Sequence, residues 1–216
     1  MGNVSGVKAK FFGPAKTATT TSVAASQAVQ ASGSFTLIQG APGAHNDGSG
    51  LGAKVNMVSG ANLSTINFTI TGTDVNGAVI TETISGPNAT TKPSVTVWQS
   101  ISSVEVSAQP GTNTSLGFGA STGTGVVFAG RTRVRGFSGI SLAATAGTVV
   151  ISDAAISTNV TAPAISTAST SLLQIPTAAL LTDIDPYIPD DGVLFPNGAY
   201  INTNGGTQAI TVYFDG

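Results

Sequence analysis

The sequence predicts an all-β protein: two antiparallel β-sandwich or jelly-roll-like modules behind an extended N-terminal arm. Three observations carry that expectation. β-branched and aromatic residues recur in short blocks about ten residues apart, the rhythm of a sandwich and not of βαβ units. The blocks are separated by Gly, Pro and Asn, the residues that turns need. Helical periodicity is scarce, and Ile175–Leu181 is the one stretch that suggests a helical turn or two.

Residues 1–33 read as the arm. They hold Lys8, Lys10 and Lys16 without any acid, followed by the run TATTTSVAASQAVQASGS, which has no amphipathic period. Such a segment is either a disordered terminus or an arm ordered by adding itself to a partner as a strand, and Phe11 and Phe12 favour the second. Residues 34–130 form the first expected module. Strand runs are Phe35–Ile38, Lys54–Val58, Ile66–Thr71, Val79–Ser85, Ser94–Trp98, Ile101–Ser107 and Val126–Phe128. Ile66, Phe68 and Ile70 alternate onto one face, and Asp74-Val75-Asn76-Gly77 supplies the positive-φ residue of a hairpin turn. The Gly-rich stretch 117–125 reads as the close of this module.

Residues 131–216 form the second expected module, with runs at Arg131–Arg135, Ile140–Leu142, Thr148–Ser152, Val193–Phe195, Ala199–Asn202 and Ala209–Phe214. Pro196-Asn197-Gly198 and Asn204-Gly205-Gly206 have hairpin-turn chemistry. Charge changes sign at the boundary: five lysines face four acids before it, and three arginines face six acids after it. A terminal strand this apolar has to be covered, inside a sandwich or in an oligomer.

Composition narrows the function classes. Of 216 residues, 41% are apolar but 8% are charged, against roughly 25% in an ordinary soluble domain. The surface is therefore Ser, Thr, Asn, Gly and Ala, which lose little rotamer entropy when a neighbour covers them. The chain contains no cysteine, which excludes disulfides, zinc–thiolate sites and thiol nucleophiles. No run approaches the ~18–20 apolar residues that span a bilayer, and the opening MGNVSGVKAKFFGPAK lacks an apolar signal core. A chain made in the cytoplasm, with no membrane partner, is the expectation. The six N-x-S/T triplets then read as strand and turn chemistry.

Candidate chemical sites are few. His45 lies in the loop GAHNDGSG near Asp47 and Ser49, but side chains two apart on a loop do not make a triad. Asp74-x-Asn76-Gly77 resembles the start of a calcium loop, yet its twelfth position is Ser85 where a bidentate carboxylate belongs. A turn is the better reading, with a weak ion site at Asp74 and Asn76 left open. Asp183, Asp185, Asp190 and Asp191 cluster between Pro186 and Pro189. They read as turn caps or partners for a basic neighbour, because a sugar groove for paired acids calls for more aromatics than one Trp and three Tyr. Arg131, Arg133 and Arg135 alternate, which puts three guanidinium groups on one strand face, best explained by acids of another strand or subunit. A pI near 5.1 and the lack of an aromatic-interleaved basic patch argue against nucleic acid. No cofactor, metal or catalytic residue is expected.

The segment INFTITGTDVNGAVITETISGPN, with VTVWQSISSVEVSA after it, resembles a pattern in structural proteins of tailed bacteriophages. The ending DDGVLFPNGAYINTNGGTQAITVYFDG is similar to the close of small virion proteins of that kind, and the two parts cover about a third of the chain. The resemblance implies a particle component on the outer capsid surface. The expected role is a capsid decoration or cement protein, a homo-oligomer and specifically a trimer, that binds the major capsid protein and bridges capsomers. A tail, baseplate or receptor-binding component is the alternative. On this view Lys8, Lys10, Phe11 and Phe12 bind the shell, while Arg131, Arg133, Arg135, Tyr213 and Phe214 make subunit contacts.

Overall fold

The computed structural model describes residues 6–28, 33–37, 49–142, 147–154, 170–177, 182–188, 191–204 and 208–216. Its described residues are all-β. Near the N-terminus are β1 (Lys8–Phe12), β2 (Ala24–Gln27) and β3 (Ala53–Ser59). Next come β4 (Asn67–Thr73), β5 (Val79–Ser85), β6 (Thr91–Pro93), β7 (Ser100–Val106) and β8 (Thr114–Ser121). The second half supplies β9 (Thr124–Phe128), β10 (Thr132–Ser141), β11 (Gly147–Asp153), β12 (Thr170–Thr177) and β13 (Thr182–Ile184). The last three are β14 (Val193–Phe195), β15 (Ala199–Asn204) and β16 (Gln208–Asp215). Every described strand pairing is antiparallel.

The strands make four sheets, which pack in pairs around two cores. In the first sandwich, the sheet β2-β8-β3-β6 faces β5-β4-β7. Period-two alternation drives this: Ala53, Val55 and Met57 of β3 and Phe68 and Ile70 of β4 are all buried in one cluster with Trp98, Ile101 and Leu116. The second sandwich sets β1-β16-β10-β13, with β14 also on β10, against β12-β11-β15-β9. Phe12, Val134, Phe137, Ile151, Phe195, Ile201 and Ile210 fill its core.

The β4–β5 hairpin forms as the sequence predicts. Gly77 adopts φ +83°, and Asp74 Oδ1 accepts the backbone N–H groups of Asn76 (2.8 Å) and Ala78 (2.9 Å). The Asp74 carboxylate thus caps its own turn. Ser85 pairs with Asn67 at the far end of the hairpin, out of reach of any ion at that turn.

Several elements differ from expectation. Ser94–Trp98 is not a strand: the strand is Thr91–Pro93, and Trp98 bridges to Ala53 while donating its Nε1–H to Ser94 Oγ at 3.2 Å. Phe35 joins the first core from irregular chain, with Ser34 bridged to Glu105. Ile175–Thr177 is strand and not helix, because β12 pairs along β11 as the outer strand of its sheet, where Pro176 is tolerated. Residues 178–181, Ile38, and Gly205 and Gly206 of the last expected turn lie outside the described residues. The Gly-rich stretch 117–125 does contain the end of the first sandwich, but its first half is strand: Thr114–Ser121 is a central strand between β2 and β3. Its glycines permit close approach, since a Cβ on Gly117 would lie 2.3 Å from the carbonyl oxygen of Thr19.

That contact belongs to the N-terminal segment, which stays extended but is laid on its own chain. β1 pairs with β16 of the second sandwich over five residues, from Lys8↔Phe214 to Phe12↔Ile210. The chain then crosses at Gly13, whose N–H donates to Ser49 O (2.7 Å), and runs beside β8, with Thr19 and Val23 donating to Phe118 and Leu116. The arm is a strap over both sandwiches. The exchange between them along the chain comes at residues 122–123, earlier than the expected 130/131, because β9 pairs with β15 of the second sandwich. Between the sandwiches lies a third small cluster of Val75, Val97, Val126 and Tyr200. Burial there pushes the Tyr200 phenol up to about 12, against the opposing effect of the Thr124 side chain.

Two outcomes follow from the strap and the joint. Phe12→Ala should lower unfolding stability by about 3–5 kcal/mol, measured by urea titration, whereas a merely peripheral arm would leave the midpoint unchanged. Tyr200 is favoured neutral in the folded state, so its contribution is full below pH 10.0, the ordinary value, and is lost as pH rises toward about 12. The stability gap between wild type and Tyr200→Phe should therefore shift over that window and stay flat between pH 6 and 9.

Candidate interaction surface

The outer face of the β1-β16-β10-β13 sheet gathers most of the residues singled out in the sequence. β10 sets its geometry. Thr132 and Val134 point inward, the register on β16 slips between Val134 and Gly136, and Phe137 points inward again. Arg135 is the extra residue of this bulge. The slip lets both halves of a ten-residue strand bury their apolar side chains although the pattern changes parity at its middle.

Register places the outward residues in cross-strand rows. One row is Ala9, Tyr213 and Gly136; the next is Phe11, Thr211 and Ser138; the third is Ala209, Ile140 and Asp183. The first two contain no charged side chain. Phe11 is 56% and Tyr213 38% exposed, large rings on an otherwise small-residue face. The Tyr213 hydroxyl lies 3.2 Å from Ser138 Oγ, so the ring lies toward β10 across the bulge.

Charge sits at the two ends. At the start of β10, Arg135 Nε donates to Asp215 Oδ2 at 2.7 Å, with Asp191 Oδ1 at 3.7 Å. Of the three arginines, Arg135 alone meets a carboxylate of the 183–191 cluster among the described residues, that of Asp191, and its tighter partner is Asp215, which sequence reasoning missed because it stands apart from that cluster. Arg133 reaches the Asp191 carbonyl at 3.4 Å, and neither it nor Arg131 has a carboxylate within 4 Å among the described residues. A depression of about 310 Å³ opens beside them, walled by Thr132, Leu194 and Asp215. At the other end Asp183 and Asp185 are exposed.

Placement corrects several expected contact residues. Phe12 and Phe214 are core side chains, 0% and 6% exposed, and cannot bind a shell or a subunit directly. Strand alternation separates Phe11, which faces out, from Lys10, which is half-buried on the opposite side; Lys8 shares the side of Lys10 but is exposed. Lys8 Nζ lies 5.9 Å from the Phe128 ring centroid and Lys10 Nζ 5.7 Å from that of Phe12. Burial holds the Lys10 ammonium below its ordinary value. Tyr213 remains on the outer face, as do Arg133 and Arg135; Arg131 precedes the strand. His45, Asp47 and Asp190 lie outside the described residues, and Ser49 is buried, its Oγ accepting the Leu51 N–H. The described residues hold no group of three or more His, Cys, Asp or Glu placed to bind a metal ion.

No family model, curated protein or solved structure matches the chain. The Arg135 ion pair is testable by substitution. Asp215→Asn should cost about 1–2 kcal/mol, since the pair is partly buried and hydrogen-bonded. Asp191→Asn should stay within about 0.5 kcal/mol. Equal losses in urea titrations would contradict the assignment of Asp215 as the principal partner.

Proposed function

We propose that this chain is a structural component of a tailed-bacteriophage particle, a capsid decoration protein that binds the outer shell and bridges neighbouring capsomers. The observation that carries the reading is the pair of charge-free cross-strand rows in the middle of the outer sheet face, with Phe11 and Tyr213 exposed on them. Charge-poor area with aromatic rings suits burial by another protein, because desolvating Ser, Thr, Gly and Ala costs less than desolvating lysines or acids. The phage-like segments at 66–108 and 190–216 support the same class.

The major capsid protein and further copies of this chain are the proposed partners. Each contact is modest, and many tethered contacts act together at high effective concentration. Binding works through a sheet face held by folded sandwiches, with residues 8–12 already committed to β16.

Electron microscopy of the intact particle tests this reading. Copies spread over the whole head are expected, together with weakened resistance to osmotic shock once the protein is stripped. A few copies confined to one vertex would replace it with a tail or baseplate role. Absence from the particle would end both.

A further inference from the structure

The charges on the outer face are arranged along β10, and that arrangement has a symmetry. Arg133 stands at the start of the strand, and Asp183 pairs with Ile140 near its end. The separation is roughly 20 Å at the ordinary rise of a strand. Between them lie the two charge-free rows with Phe11 and Tyr213. Arg135 is paired with Asp215 and Asp191 at the first end, which leaves Arg133 as the strand cation there without a carboxylate among the described residues, while Asp183 stands at the other end. A face with a cation at one end, apolar rows in the middle and an acid at the other complements a copy of itself turned end for end.

Three of the outer strands favour contact through a face over strand addition. β1 points the half-buried Lys10 to the core side, and β6 and β12 carry Pro93 and Pro176. An inward charge and prolines hinder strand addition. β16 has no free edge, being flanked by β1 and β10.

We propose that this outer face binds a second copy of the chain, two such faces stacking about a two-fold axis that lies between them and crosses the strands. β10 then lies over β10 in the opposite direction, Ser138 near its own symmetry mate, and Arg133 of each copy over Asp183 of the other. This pairing is independent of where the chain sits in a particle, and it differs from the three-fold contact that the phage resemblance implies. Four strands at about 4.8 Å spacing over about 20 Å give on the order of 400 Å² per copy. That is about half of the ~800 Å² per partner typical of stable complexes. The pair is therefore weak in dilute solution and forms at high local concentration.

Sedimentation equilibrium of the whole chain from about 10 to about 500 µM tests it. Mass should rise toward two copies. Arg133→Glu or Asp183→Lys alone should weaken association by about tenfold, since each swap alters two symmetric contacts, and the double swap should restore it to within about threefold. The chain lacks cysteine, so Ser138→Cys provides a second readout: a short bismaleimide should link two copies through that residue. A wild type that stays monomeric throughout, a limiting mass of three copies, swaps without effect or without mutual rescue, or no Ser138→Cys link would each overturn the proposal.

Discussion

The pairing of β1 with β16 is the constraint on which the rest of the molecule depends. It seats Phe12, fully buried, in the second core, and it turns β16 from an edge into an inner strand. The same five residues place Phe11 on the opposite side, in the row of Thr211 and Ser138. One short strand thus completes a core and builds an exterior. Because the chain continues from it to lie along β8, the two sandwiches are also held by a strap whose hydrogen bonds run to Phe118, Leu116 and Ser49. A tail of low complexity acquires structure through its own chain.

The joint between the sandwiches adds a second restraint. Val75 and Val97 come from the hairpin turn and loop of the first, Val126 and Tyr200 from strands of the second. Leu51 belongs to the second core and Ala53 to the first, so the chain passes from one to the other within two residues. Placing the two sandwiches by such restraints would serve the proposed covering role, because preorganised faces lose less freedom on binding.

Much of the fold was legible in the sequence where alternation and turn chemistry agree. Phe68, Ile70 and the Asp74–Gly77 turn define the β4–β5 hairpin, and Val193–Phe195 matches β14 to the residue. Legibility failed where tertiary contact overrides local pattern. β8 contains Gly117 and Gly119 and reads as a loop, yet glycine is required there by the chain lying against it. β1 reads as a tail because Lys8 and Lys10 interrupt its apolar side, and their solution is to lie against Phe128 and Phe12. The arginine stripe was visible, but its partner Asp215 was not. Cross-strand neighbours are set by register, and a bulge at Arg135 has no signature in Thr-Arg-Val-Arg-Gly-Phe itself.

The exposed outer face, with its charge-free middle rows, is the basis of the central proposal that this surface is covered by another protein. A single cysteine at Ala9, an exposed small residue in the row of Tyr213 and Gly136, reports on it directly in a chain otherwise free of cysteine. Maleimide labelling of Ala9→Cys should be fast in the dilute protein and strongly suppressed once the protein is assembled in its particle. Equal labelling rates in both states would contradict the account.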